Sequence, residues 1–175
     1  MLFTYKANLI PKDYFQKVYD QIIDKVGSNN SERKSCVYNL HDINFKFDYG
    51  IPFYSYKDIP KCLEEIRTIV EKDSGTIFDY LLIHLYSSGK SSINYHSDKE
   101  AKKSTIASVT LGATRKFRLK EIGKKSGYDF EFSLSSGDCI YMHPGCQEKY
   151  LHTVPKELRV TEPRINLTFR QFELN

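Results

Sequence analysis

The stretch RINLTFRQF, Arg164 to Phe172, splits into two sets when every second residue is taken. Arg164, Asn166, Thr168 and Arg170 form one set; Ile165, Leu167 and Phe169 form the other. Successive side chains of a strand point to opposite faces, so one face is purely apolar and the other carries two guanidinium groups and an amide. Alternation this strict predicts a sheet strand. If the polar face looks into the protein, its arginines must meet anions there, because buried charges are paired. A small dicarboxylate satisfies both, since a guanidinium grips a carboxylate through two parallel hydrogen bonds. If that face looks outward, the arginines are solvated and the strand is half buried.

Working outward, further strands are predicted over Tyr80–Tyr86, Thr105–Leu111, Lys116–Lys120, Tyr128–Leu134, Cys139–Met142 and Tyr150–Val154. Turn signals such as SSGK, GKKSG and SSGD separate them. Before Gly75 the texture is helical. Pro11 to Val26 carries apolar residues at helical spacing, with Gly27 as its stop. GSNNSERKS reads as a polar loop, and a second helix starts with Asp58 as N-cap and Pro60 in the first turn. Helices followed by short strands give an α+β chain, here a double-stranded β-helix (jelly-roll) core with N-terminal helices packed against it.

The length, 175 residues, suits one domain over 1–175, with a helical part to residue 75 and the jelly-roll core from 76 to 175. Hydrophobic residues are 40% and charged residues 27%, a globular balance, and no apolar run reaches the length of a membrane span. No secretory signal is visible at the start. Four cysteines without CxxC spacing suggest free thiols in a reduced, intracellular protein and argue against structural zinc. A net charge of +4 permits a polyanionic partner without demanding one.

Chemistry enters through the histidines. NYHSDKE holds His96 and Asp98, and residues two apart on an extended segment share a face, so imidazole and carboxylate can converge on one ion. A second histidine from a later strand would complete two histidines and a carboxylate, the usual non-haem Fe(II) arrangement with positions left open. Two candidates remain: His143 in the turn-like MHPG and His152 in the strand-like YLHTVP. A strand fixes a ligand better than a turn does.

HxD, a later histidine and RxNxxxxxR together resemble the AlkB-type 2-oxoglutarate- and Fe(II)-dependent dioxygenases. The likeness extends to IHLYSSGKSSINYHSDKE, IASVTLGATRKFRLK, SLSSGDCIYMHPGCQEKYLHTVPK and RINLTFRQ, four motifs in the family's order between Tyr54 and Gln171. It implies that His96, Asp98 and His152 hold iron, the HTVP context selecting His152 over His143. It implies that Tyr86, Arg164, Asn166 and Arg170 hold 2-oxoglutarate, with the two arginines on its two carboxylates. His84 stands where many relatives carry an asparagine that also touches the co-substrate. The implied reaction uses Fe(II), O2 and 2-oxoglutarate to oxidise an N-alkyl group of a DNA base, releasing formaldehyde, succinate and CO2. The same chemistry on RNA or on a protein side chain is the alternative, and a non-catalytic nucleic-acid-binding jelly roll is a further one.

A base must leave its stack to reach such a site. IPFYSY resembles the family's substrate-gripping aromatic segment. Phe53 reads as core, while Tyr54 and Tyr56 share strand parity and are assigned to the base. Glu100 matches an acidic position that contacts the damaged base in relatives. Arg115, Lys116, Arg118, Lys120, Lys124 and Lys125 form a basic cluster, and Lys116, Arg118 and Lys120 share one strand face suited to phosphates. Alkylated DNA, or RNA, is the expected partner of a monomer without membrane attachment.

Overall fold

The structure is a computed structural model that describes residues 1–27, 33–44 and 50–173. Its elements are β1 (Phe3–Lys6), α1 (Tyr14–Ile22), β2 (Arg33–Asn39), β3 (Phe53–Tyr54), α2 (Lys61–Ser74), β4 (Tyr80–Tyr86), β5 (Ile93–His96), β6 (Ile106–Gly112), β7 (Arg115–Glu121), β8 (Phe130–Leu134), β9 (Cys139–Met142), α3 (Cys146–Lys149), β10 (Tyr150–Val154) and β11 (Arg164–Arg170). A seven-stranded sheet in the order β1-β9-β6-β11-β4-β2-β3 faces a four-stranded sheet in the order β5-β10-β7-β8. This is the expected jelly roll with helices against it.

The C-terminal strand β11 lies at the centre of the large sheet, antiparallel to β4 on one side and β6 on the other. All seven of its residues are buried, which excludes the half-buried strand. Ile165, Leu167 and Phe169 join Leu81, Ile83 and Val109 in the main core, covered by Val18 and Ile22 of α1 and Leu63, Ile66 and Val70 of α2. Arg164, Asn166, Thr168 and Arg170 look the other way, toward the small sheet. A second cluster that includes Phe117, Leu119, Ile140 and Val154 fills the space between the sheets beside them.

The N-terminal part departs from expectation. β1, β2 and β3 lie within the first 75 residues, so that part is not merely helical: it supplies three strands of the large sheet. β2 reads RKSCVYN, and its opening residues fall in the segment taken as a polar loop; residues 28–32 of that loop lie outside the described residues. All of β2 beyond Lys34 is buried against β4. Helix α1 is shorter than its apolar periodicity, and Gly27 pairs with Ser35 in an isolated bridge instead of stopping the helix. Asp58 ends a single 3-10 turn, Tyr56–Asp58, and Pro60 occupies the N-cap of α2. Proline fits there because it brings no N–H that would go unpaired.

Arg115, counted in the basic cluster, is instead 1% exposed. It pairs with Glu157 at 3.0 Å and donates to the carbonyls of Ser88, Ser91 and Pro155. These bonds fasten the loop after β4 to the segment after β10. Gly89 lies at that junction, where a Cβ would sit 1.8 Å from the Glu157 carbonyl oxygen, so no larger residue fits.

Candidate metal and co-substrate site

His96, Asp98 and His152 bring one ligand atom each to within 4.8 Å of one another. His152 stands on β10 directly opposite His96 on β5. Ile93 faces the same interior as His96 although they stand three positions apart. A bulge between the His152 and Val154 pairings accounts for this, since an extra residue in one strand re-aims the side chains that follow. The Asn94 carbonyl accepts from Nδ1 of His96 at 2.7 Å. That bond holds the ring in place, with Nε2 3.9 Å from Asp98. His152 Nε2 lies 3.5 Å from the other Asp98 oxygen.

Burial lowers the His152 pKa to about 4 against the opposing pull of Asp98, so the ring is neutral near pH 7. Burial pushes the Asp98 carboxyl up, but Arg170, His152 and His96 outweigh it and hold it below its usual range. Two imidazoles and a carboxylate converging at this spacing are a donor set for a divalent cation such as iron. His143 takes no part. It sits in its turn, with Nε2 bonded to Thr4 at 2.8 Å.

The polar face of β11 continues the site. Arg164 is 1% exposed and makes one side-chain hydrogen bond, from NH2 to Thr110 Oγ1 at 2.9 Å. Its guanidinium lies 5.2 Å from the Tyr86 ring centroid. Its Nε and NH1 are buried with no acceptor among the described residues, and burial lowers its pKa to about 10. Buried donors without acceptors are costly, and an anionic group in the cavity would supply an acceptor. Asn166, held by Ser108 Oγ at 2.8 Å, lies between Arg164 and the triad.

Arg170 differs from expectation. Its NH2 lies 3.1 Å from Asp98 and its NH1 2.6 Å from Glu100, so it already meets two carboxylates of the chain. Burial would lower its pKa, but Asp98, Tyr80 and Glu100 raise it overall. His84 and Tyr86 do share the cavity face, as their parity predicts, and line one pocket with His96, Asp98, His152 and Asn166. Nδ1 of His84 is bonded to Ser35 Oγ at 2.5 Å.

The substrate assignments need correction. Tyr54 turns to the helix side: its ring packs on Tyr38 at 5.0 Å and its hydroxyl donates to the Lys25 carbonyl. Tyr56 lies in the 3-10 turn, where strand parity no longer applies, with Lys57 over its ring. Phe53, read as core, does pack against a small hydrophobic cluster of Val37, Tyr80 and Leu82 together with Phe172, on the face of the sheet that carries His84. β3 pairs in parallel with β2, matching Phe53 to Val37 and Tyr54 to Tyr38, and this pairing sets the face of each. Glu100 is engaged by Arg170. Lys116, Arg118 and Lys120 do share the outer face of β7, but Arg118 is paired with Glu131 at 2.6 Å and lies over the Tyr128 ring.

Sequence reading passed over Ser35, Ser108 and Thr110. All three stand on the cavity face, and the alternation of IASVTLG marks the last two.

The chain matches the 2OG-Fe(II) oxygenase superfamily over residues 51–170. It is 35% identical over 118 residues to the alpha-ketoglutarate-dependent dioxygenase alkB homolog 3 of Homo sapiens, covering 62% of this chain and 41% of that protein. It is 33% identical over 148 residues to the DNA oxidative demethylase ALKBH2 of Mus musculus, covering 79% of this chain and 61% of that one. The chain thus spans about two fifths to three fifths of the length of these relatives. A solved structure of OsALKBH1 shares the fold, with a TM-score of 0.68 over 97% of this chain and 98% of that one at 18% identity. The superfamily works with Fe(II), 2-oxoglutarate and O2, and the donor triad with the unsatisfied Arg164 beyond it fits that set. The chain belongs to the 2OG-Fe(II) oxygenase superfamily and is of its AlkB type.

Proposed function

We propose that this chain, as a single dioxygenase domain, removes alkyl groups oxidatively from N-alkylated bases of DNA. The observation that carries the reading is one cavity with a His-Asp-His cluster at one end and a buried, under-satisfied arginine beyond it. His96, Asp98 and His152 would hold iron. Arg164, Tyr86, Asn166 and His84 would hold 2-oxoglutarate. Arg170 acts on the metal end through Asp98 and Glu100. When bound, iron with O2 and 2-oxoglutarate supplies a two-electron oxidation of a C–H bond, yielding succinate and CO2. An N-methyl carbon hydroxylated in this way leaves as formaldehyde.

The chain's own task is to orient the alkyl carbon and keep water out. Phe117, its ring 5.6 Å from that of His152, walls the metal from the core side. Phe53 and Phe172 offer an aromatic wall for a base on the far side of Arg170 and Glu100. DNA as substrate rests on the likeness to ALKBH2, which is named a DNA oxidative demethylase. The test is incubation with Fe(II), ascorbate, 2-oxoglutarate and methylated DNA or RNA oligonucleotides, following succinate and formaldehyde. Formaldehyde stoichiometric with succinate on DNA supports the reading. Succinate without demethylation of any oligonucleotide removes the nucleic-acid substrate, and no succinate at all removes the dioxygenase.

A further inference from the structure

A cleft of about 550 Å³ opens at His96 and follows β5, which is the end strand of the small sheet. It is lined by Arg33, Ser91, Ser92, Ile93, Asn94, Tyr95, His96 and Lys156, two cations with neutral groups and not one carboxylate. Arg33 reaches across from β2 and donates to the Ser92 carbonyl at 2.9 Å, so its charge is held on the wall. Among the described residues neither Arg33 nor Lys156 forms an ion pair with an acid. The other basic groups nearby are different: Arg118 is paired with Glu131, and Lys124 with Asp129. At the rim, Tyr95 turns outward beneath Lys120, whose Nζ is 4.3 Å from the ring centroid.

We propose that this cleft holds the phosphate backbone of the single strand flanking the base in the active site, with Arg33 and Lys156 as phosphate contacts and Tyr95 as a stacking platform at the rim. The physics is that of sequence-independent single-strand binding, a cationic groove that tracks the backbone beside an aromatic ring. The cleft meets the metal site at His96, so a strand lying in it delivers a neighbouring nucleotide to the cavity. The proposal rests on the nucleic-acid reading above for the identity of the strand.

The experiment is fluorescence anisotropy with a labelled single-stranded DNA oligonucleotide over a range of salt concentrations. The proteins compared are wild type, Lys156→Gln, Arg33→Gln and the double variant. Each substitution should weaken binding roughly threefold to tenfold and lower the slope of log affinity on log salt by about 0.7, independent of sequence. Lys156 is exposed and makes no ion pair with an acid among the described residues, so its variant keeps the test meaningful if Arg33→Gln disturbs β2. Unchanged affinity and slope in Lys156→Gln and the double variant overturn the cleft while leaving the substrate reading standing. A wild type that binds no oligonucleotide overturns both. Lost 2-oxoglutarate affinity with oligonucleotide affinity intact makes the cleft a co-substrate entrance and overturns the proposal.

A separate observation concerns His84. Ser35 stands opposite it across β2 and β4, 6% exposed, with Oγ 2.5 Å from Nδ1. Burial, with Arg33 and Arg170 nearby, lowers the His84 pKa to about 3, so the ring is neutral and carries one N–H. Two arrangements exist. A hydroxyl that donates to Nδ1 puts the ring proton on Nε2; a hydroxyl that accepts leaves the other nitrogen a bare lone pair. We infer that Ser35 is a positioning residue that holds His84 with its proton on Nε2, making the ring a hydrogen-bond donor to a co-substrate oxygen. The opposite tautomer would set a lone pair against an anion.

Nitrogen-15 NMR of the metal-free protein reads the tautomer directly, and calorimetric titration of 2-oxoglutarate with Mn(II) reads its consequence. Ser35→Ala should redistribute the tautomer and raise the 2-oxoglutarate Kd about twofold to tenfold, the range of one hydrogen bond. Ser35→Thr should restore both. A proton on Nδ1 in the wild type overturns the assignment by itself, as does a Ser35→Ala protein with wild-type tautomer and Kd.

Discussion

Replacing Arg164 by methionine should separate folding from binding. The guanidinium is 1% exposed, has one hydrogen bond, to Thr110, and leaves Nε and NH1 without acceptors. Its nearest compensation is the Tyr86 ring, 5.2 Å away. Burial has already drawn its pKa down to about 10. An unpaired buried charge of this kind detracts from the stability of the ligand-free protein, and apolar replacements of buried ionic groups are often neutral or stabilising by about 1–4 kcal/mol. Arg164→Met, similar in length, should therefore leave the melting temperature of the ligand-free protein unchanged or raise it. Binding should move the other way. Truncating one partner of a desolvated charge pair costs about 2–5 kcal/mol, roughly thirtyfold to several thousandfold in affinity. Differential scanning fluorimetry with Mn(II), which binds without turnover, tests both at once. A ligand at one hundred times its Kd stabilises the wild type by about 2.7 kcal/mol, or roughly 5–10 °C for a chain of this size. That shift should vanish in Arg164→Met at the same 2-oxoglutarate concentration, and Arg164→Lys should recover little, because an ammonium lacks the two-pronged geometry. A variant that melts well below wild type yet keeps the ligand-induced shift would make Arg164 a structural residue and refute the reasoning.

His152→Ala should abolish metal-dependent 2-oxoglutarate turnover while His143→Ala keeps it; the reverse result would transfer the ligand role to His143. Phe53→Ala should weaken binding of a methylated oligonucleotide by about 1–3 kcal/mol if a base stacks there, whereas Tyr54→Phe should lower only the melting temperature, through the lost bond to Lys25. Equal oligonucleotide affinity in wild type and Phe53→Ala would remove the aromatic wall from substrate binding. For His84 the folded pKa, about 3, lies below its ordinary value of 6.5, so its contribution to stability is present above pH 6.5 and is lost as pH falls toward 3. That loss should reach about 2 kcal/mol at pH 5. His84→Asn should flatten the stability profile of the metal-free protein over that range, and parallel profiles for the two proteins would contradict the shift.

The two arginines of β11 share a strand face and burial, yet their surroundings assign them different work. Arg164 donates to Thr110 but leaves Nε and NH1 without acceptors among the described residues. Arg170 already holds Asp98 and Glu100, and lies six residues along the strand, beside the metal ligands. An arginine bonded to a metal-ligating carboxylate fixes that ligand's orientation, as outer partners of metal sites do. The pairing also ties Glu100 to Asp98 through one guanidinium.

What could be read from the residues and what could not divides along one physical line. Period-2 alternation is local, so β11, β4 and β6 were legible, and with them which residues share a face: Arg164 with Asn166, and His84 with Tyr86. The jelly roll followed from the run of such strands. Alternation says nothing about which of two faces a short strand turns to the core. For β3 that choice is made by its parallel pairing with β2, a contact between residues well apart in sequence. Tyr54 was therefore assigned to the wrong face. β2 itself was hidden because its residues before Ser35 are polar, and its burial comes from lying between β3 and β4. The metal ligands show the opposite limit. HxD suggested that His96 and Asp98 share a face by simple parity, but His96 reaches the interior by way of the bulge that offsets β5 against β10, and Asp98 lies beyond the strand's end. The motif pointed to the donor cluster where the backbone argument alone would not have sufficed. A ligand set is held by the requirement that three donors meet, and the fold satisfies it with whatever local irregularity brings them together.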